Sequence, residues 1–392
     1  MPRPSPEAID HLTTLIGFDT VSSRSNRALI DHVAGVLAAH GVACEVMESE
    51  DGAKANLYAT IGPPDAGGLM LAGHTDVVPV EGQDWHTDPF AATEREGRIH
   101  GRGAADMKGF IACVLALVPE LVSGKRGQPI HLAFTYDEEV GCFGGAELAK
   151  WLAAAPVRPA CCVVGEPTGM AIVSGHKGKL SVDCRVRGAE CHSAHLDRGV
   201  NAVELAAELI ARLRAIQRRF IAKGPHDARF DPPFTTVHTG TVHGGIARNI
   251  VPRDCRFAFE VRNLPGADPE AVLKEVRAFA EAELLPEMRA VAADAGIDFE
   301  AQSHIPALDP EEDSAFLRLA LSLSGANAPG VVSFATESGL YQGTGIPTLV
   351  CGPGHIREAH RPDEYVELDQ LALCESFLRK LVAGIGGPGG VR

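Results

Sequence analysis

The chain has 392 residues, 45% hydrophobic and 22% charged, enough for a large core and more than one domain. Its 36 Lys and Arg against 51 Asp and Glu leave a net charge of −15, which disfavours a nucleic-acid partner. The opening MPRPSPEAIDHLTTLIGF lacks a secretory pattern and no stretch approaches the roughly 18 apolar residues of a membrane span, so a cytoplasmic location with no membrane partner is expected. The ten cysteines contain no C-x-x-C, and several sit in apolar runs such as IACVLALV. They read as small buried hydrophobes in a reducing compartment.

Helix and strand alternate from residue 5 to 176. Pro6 after Ser5 opens a helix with Ile9, Leu12, Leu15 and Ile16 on one face, and a second helix runs over 25–40 to Gly41. Strands are expected at 42–47, 56–62, 69–79, 129–139 and 160–168, with helices at 108–123 and 143–154. Strands this apolar, separated by helices, suggest a sheet covered on both faces. The pattern then changes. Strand 179–188, helix 199–220, strands 235–245 and 249–262, helix 268–293 and strand 297–302 give β-α-β-β-α-β, the order of a ferredoxin-like α+β module. Helix 311–324, strands 331–336 and 348–354 and helix 369–383 return to the first style. The reading is a catalytic α/β domain of residues 1–177 and 301–392, interrupted by an insert at 178–300. Gly175 to Gly178 mark the crossing, where glycines suit a hinge. The tail GIGGPGGVR is expected to be unstructured.

Five residues carry the chemistry: His74 in GHTDVVP, Asp106 in GRGAADMKG, a glutamate of TYDEEVG, Glu166 in GEPTG and His360 in EAHRPDE. His74, Asp106, Glu139 and Glu166 follow one another at 32, 33 and 27 residues, about one strand-helix-strand unit each time, which would gather them at one sheet edge. Imidazole and carboxylate together suit zinc or a similar divalent ion, and five ligands exceed what one catalytic metal uses. A two-metal hydrolase with a bridging carboxylate follows, and Asp106 in its loop suits the bridge. Asp76, two residues after His74, is expected to accept the other ring N–H and fix the tautomer. GRGAADMKG opens like a dinucleotide loop, but its sixth position is Asp106, which would repel a pyrophosphate. Spacing does not choose between Glu138 and Glu139.

These motifs resemble the M20 metallopeptidase family of two-zinc aminoacylases and deacylases, over nearly the whole chain and in the family's order. GHKG (175–178), HSAHLDRGVNA (192–202), GGIARNIVPRDC (244–255) and FATES (334–338) most resemble its acetylornithine deacetylase branch. The resemblance implies a two-zinc aminopeptidase-like catalytic domain with a ferredoxin-like lid that dimerises. It implies one metal on His74, Asp106 and Glu166 and a second on Asp106, Glu139 and His360, with Zn²⁺ expected and Co²⁺ or Mn²⁺ tolerated. Glu138 becomes the general base, and His192 stabilises the oxyanion in the partner subunit's site. Lys177, Asn249 and Arg262 are candidates for the substrate carboxylate. The implied reaction removes acetyl from N2-acetyl-L-ornithine. Other N-acyl-amino-acid deacylation or dipeptide hydrolysis is the alternative, and a metal-free binding protein is disfavoured by the intact ligand set. Relatives often carry Pro where this chain has Leu196, and His195 is an unusual occupant, so the loop after His192 departs from the pattern.

Overall fold

The computed structural model describes residues 2–124, 127–310 and 313–385, so most of the tail GIGGPGGVR lies outside the described residues. The chain divides into two compact units. One comprises Met1–Gly175, Pro310–Val331 and Thr336–Arg392, the other His176–Asp309 and Val332–Ala335.

In chain order the first unit supplies α1 (Pro6–Ile16), α2 (Arg27–Ala39), β1 (Cys44–Glu48), β2 (Ala55–Ile61), β3 (Leu69–His74), β4 (Thr93–Arg95) and β5 (Arg98–His100). It continues with α3 (Gly109–Ser123), β6 (Ile130–Thr135), α4 (Glu138–Gly141), α5 (Phe143–Ala154), β7 (Cys161–Pro167) and β8 (Val173–His176). The insert follows as β9 (Lys179–Arg187), α6 (Ala202–Lys223), β10 (Thr236–Gly244), β11 (Asp254–Arg262), α7 (Glu270–Phe279), α8 (Leu285–Val291) and β12 (Gly296–Ile305). The chain returns through α9 (Ala315–Ser324), β13 (Gly330–Val332), α10 (Ser338–Gly343), β14 (Thr348–Gly352), β15 (Tyr365–Glu367) and α11 (Leu368–Ile385).

The first unit is built on an eight-stranded mixed sheet ordered β1-β2-β6-β3-β7-β14-β8-β13. Its central strands β3, β6 and β7 are buried along their whole length, as are residues 109–115 of α3, so these stretches show no polar face. That is why their sequences read as continuous apolar runs. Ser5 caps α1 by accepting from the Ala8 N–H, and Leu12, Leu15 and Ile16 go inward. A small antiparallel sheet, β15-β5-β4, has no counterpart in the sequence reading, because three-residue strands carry no usable periodicity. It joins the segment after His360 to the segment before Asp106, with Tyr365 opposite His100.

The insert is an antiparallel sheet ordered β10-β11-β9-β12 with its own core, the ferredoxin-like arrangement that the element order predicts. In β9, Leu180, Val182, Cys184 and Val186 are buried while Asp183 and Arg185 are exposed. Several boundaries differ from expectation: the strand expected over 249–262 begins at Asp254 and that over 331–336 ends at Val332, and three more differences lie in the insert. The helix expected from 199 starts at Ala202, where the Asn201 side chain accepts from the Val203 and Glu204 N–H groups. The helix expected over 268–293 is broken by a π turn at Ala280–Leu284 just before Pro286, which has no N–H to continue the regular ladder. The insert runs to Asp309 rather than 300, because β12 continues to Ile305 beside β9. Among the described residues no helix is long and apolar enough to cross a membrane.

Gly165 shows how tightly the sheet is packed on α3. A Cβ there would lie 1.9 Å from the Phe110 ring, which is fully buried. Gly165→Ala should therefore lower the unfolding free energy of metal-free protein by at least about 1–3 kcal/mol, the usual cost of overpacking. An unchanged denaturation midpoint would remove this account of the β7–α3 contact.

Candidate metal centre

Strands β6, β3, β7 and β14 are mutually parallel, and their carboxyl ends deliver the candidate residues to one place. His74 ends β3, Glu138 and Glu139 form the turn after β6, Glu166 is the penultimate residue of β7, and His360 lies on the loop after β14. The carboxyl edge of parallel strands is where open α/β sheets bind ligands.

The two histidines meet at one carboxylate. Asp106 Oδ1 lies 3.0 Å from His74 Nε2, and Asp106 Oδ2 lies 3.3 Å from His360 Nε2. Glu139 Oε2 is 3.0 Å from His360 Nε2, and Glu166 Oε1 is 3.8 Å from His74 Nε2. The ligand atoms of His74, Asp106 and Glu139 all lie within 4.8 Å of one another, as do those of His74, Glu138 and Glu166. Among the described residues no Lys or Arg pairs with Asp106, Glu138, Glu139 or Glu166.

The electrostatics record that crowding. Burial, with the charges of Glu139, Asp106 and Glu337, pushes the Glu138 carboxyl up to about 8 despite His74. Burial and the Asp106 charge also raise Glu139, and raise Glu166 well above the carboxylate range. Burial opposes ionisation of Asp106 too, but hydrogen bonds from His360 and His74 hold it below its ordinary value. Those to Asp106 and Glu139 raise His360 to about 10. Two imidazolium charges leave four carboxylates undercompensated, whereas two divalent cations ligated by neutral imidazoles would balance them. The donor set therefore fits two cations sharing Asp106.

Buried carboxylates also hold the surrounding turns. The His74 ring Nδ1 bonds the backbone carbonyl of Asp76 at 2.9 Å, with the Asp76 carboxylate 3.6 Å away. The expected carboxylate acceptor is thus corrected. At 3.6 Å it is beyond hydrogen-bond range, because its oxygens take the N–H groups of Glu138 (3.0 Å) and Glu139 (3.3 Å) and the Ser22 hydroxyl (2.7 Å). Asp137 turns away from the centre to Lys54, 2.5 Å distant, which resolves the repulsion implicit in three adjacent acids. Sequence reasoning missed Glu364 and Glu337. Glu364 accepts from the Gly103, Ala105 and Asp106 N–H groups. Glu337, inside FATES, accepts from Thr135 Oγ1 and Tyr341 Oη, and burial pushes it up to about 7. Neither has a local signal, since the partners of each include residues some 200 or more positions away.

The remaining candidates belong to the second unit. His192 is exposed, and its Nδ1 accepts the Ala194 N–H at 3.1 Å. The proton of the neutral ring therefore sits on Nε2, which makes that nitrogen a donor. Asn249 is exposed, and Arg262 is forked onto Glu260 at 2.9 Å. Lys177 is corrected. It is buried, and its ammonium donates to the carbonyls of Pro232 (2.7 Å) and Phe234 (2.8 Å), which makes it a clamp on that loop rather than a free partner for a substrate carboxylate.

Residues 70–384 match the model of peptidase family M20/M25/M40. An acetylornithine deacetylase of Myxococcus xanthus is 38% identical over 385 residues, covering 96% of this chain and 97% of the relative. One from Klebsiella pneumoniae (strain 342) is 35% identical over 372 residues, covering 92% and 93%. Among solved structures, a family M20 metallo-carboxypeptidase from Sulfolobus solfataricus matches with TM-score 0.75 at 17% identity, covering 96% of this chain and 99% of that one. A dinuclear metal-binding peptidase of the same family from Bacillus subtilis matches with TM-score 0.64 at 15% identity, covering 96% of each. The structural likenesses show the shared fold.

The role of Asp76 can be read directly. Asp76→Ala should lower the unfolding free energy of metal-free protein by about 1–3 kcal/mol for each buried N–H it orphans at Glu138 and Glu139. A change below about 0.5 kcal/mol in denaturant titrations would show that these bonds do not hold the turn.

Proposed function

Because the chain belongs to peptidase family M20, whose members act as hydrolases on amide bonds, we propose that it is a two-metal deacetylase of N2-acetyl-L-ornithine. The products are ornithine and acetate, a step of arginine biosynthesis. The observation that carries the reading is Asp106, which offers one carboxylate oxygen to each histidine among three further carboxylates.

His74, Asp106 and Glu166 would hold one cation, and Asp106, Glu139 and His360 the other. Zn²⁺ suits this N and O donor set, as do Co²⁺ and Mn²⁺. When bound, the cations supply Lewis acidity, acidifying water and polarising the scissile carbonyl. Glu138 then serves as the proton carrier. Its carboxyl lies with His74 and Glu166, beside a proposed cation position, which suits it to removing a proton from attacking water and returning it to the leaving amine. The Asp76 bonds to the Glu138 and Glu139 N–H groups keep base and ligand at fixed offset on one turn. His192, with its proton on Nε2, is assigned to the developing oxyanion. Asn249 and Arg262 are assigned to the substrate carboxylate.

The reading includes a homodimer formed through the insert, in which His192 serves the partner subunit. The edge strand β10 supports this. It is terminal in its sheet, largely exposed, and displays Val242 at 55% exposure, a template for pairing with a second strand.

Two measurements test the proposal. On a panel of N-acyl amino acids and dipeptides, kcat/KM should be highest for N2-acetyl-L-ornithine, and a higher value for a succinylated diamino acid or a dipeptide would redirect the substrate assignment. Glu138→Gln should retain metal and lose about 10²–10⁴-fold in kcat. Loss of metal instead, with activity restored by excess cation, would exchange its role with that of Glu139.

A further inference from the structure

Arg102 and Glu364 form a fully buried ion pair, each 1% exposed, with Arg102 Nη1 2.7 Å from Glu364 Oε2. Burying two charges costs free energy that the pair alone scarcely recovers, so its partners are informative. The Glu364 carboxylate closes on the loop that carries Asp106. Oε1 accepts from the Ala105 and Asp106 N–H groups, both at 3.0 Å, and Oε2 accepts from the Gly103 N–H at 3.1 Å. The guanidinium reaches the loop that carries His360. Nη1 donates to the Arg361 carbonyl at 3.3 Å, and Nη2 donates at 2.6 Å to Gln83 Oε1, whose amide donates to the His360 carbonyl at 3.1 Å.

His360 needs such support. Its φ of +61° is in the left-handed region, an unfavourable conformation for a residue with a Cβ, and Asp363 has φ +56°. Asp106 is also offered to the site by irregular backbone, with φ −119° and ψ 92° inside a helical turn. Neither loop is held by a long ladder. The links between them are short: the three-residue pairing of β15 with β5, the Gly101 N–H on the Glu364 carbonyl (2.9 Å), contacts of His86 and His100 with Asp363, and the Arg102–Glu364 pair.

We infer that Arg102 and Glu364 are positioning residues that fix the shared carboxylate Asp106 and His360 relative to each other, so that one buried ion pair sets both cation sites. The inference rests on the two-metal reading for its consequence, but its structural content stands apart from it. Each charge holds one ligand's backbone, the carboxylate through the Asp106 N–H and the guanidinium through Gln83 and the His360 carbonyl. Loss of the hydrogen bonds made by either side chain lets both loops move. Because Asp106 is common to both sites, both affinities fall together, unlike the single-site loss expected for His360→Ala.

The test uses Glu364→Gln and the milder Arg102→Lys, which keeps the charge but not the fork. Backbone hydrogen exchange of the metal-free variants is followed in segments 101–108 and 356–364, with β3 and β6 as internal references. Zn²⁺ is then titrated into the same proteins. The expected result is exchange at least about tenfold faster in both segments, with β3 and β6 unchanged, and both Zn²⁺ affinities weakened by about 10–100-fold, the usual cost of losing a partner that orients a ligand. At saturating Zn²⁺, kcat should fall more than KM rises. Unchanged exchange in either segment overturns the clamp, and faster exchange with both affinities intact overturns its role in setting the sites. If Glu364→Gln unfolds, Arg102→Lys decides by the same criteria. If the unsubstituted protein binds no Zn²⁺, the two-metal reading fails, and the exchange data alone judge the clamp.

Discussion

Four carboxylates held in one largely buried corner repel one another, and water is too scarce there to screen them. Asp106, Glu138, Glu139 and Glu166 are in that position, with only His74 and His360 as cationic company among the described residues. The constraint shows in the upward shifts of Glu138, Glu139 and Glu166 and in the raised proton affinity of both histidines. A stable fold tolerates such a cluster because the turns that carry it are fixed from behind. Two divalent cations would turn the same repulsion into coordination.

The support is arranged in layers. Parallel strands bring the carboxyl ends of β3, β6, β7 and β14 together, which sets position to within a side chain's length. Buried carboxylates then do the fine placement. Asp76 holds the Glu138–Glu139 turn, Glu364 holds the Asp106 loop, and Lys54 draws Asp137 out of the cluster. The chemistry therefore depends on residues that need touch neither cation nor substrate.

The fold class was legible because apolar runs of strand length alternate with helices outside the insert and switch to strict alternation in β9 within it. The five ligand candidates were legible because each stands in a short Gly- or Pro-containing motif at the end of an apolar run. What escaped was contact over long sequence separation. H-x-D suggests that the Asp76 carboxylate holds the His74 ring, yet the backbone carbonyl lies nearer and the carboxylate takes the N–H of a turn 62 residues on. GHKG makes Lys177 a candidate for the substrate carboxylate, and nothing in that motif reveals the carbonyls 55 and 57 residues away that its ammonium holds. Glu364 sits four residues after His360, but its partners lie some 260 positions back, where no pattern points to it.

The most direct test of the central claim is calorimetric titration of Zn²⁺ into chelator-stripped protein near pH 7, run in two buffers of different ionisation enthalpy. Burial and mutual repulsion raise the proton affinity of Glu138 and Glu166, carboxylate partners raise that of His74 and His360, and cation ligation competes with protons at these groups. The account predicts two Zn²⁺ per chain with net proton release to the buffer. No binding, a single site, or binding without proton release would contradict it.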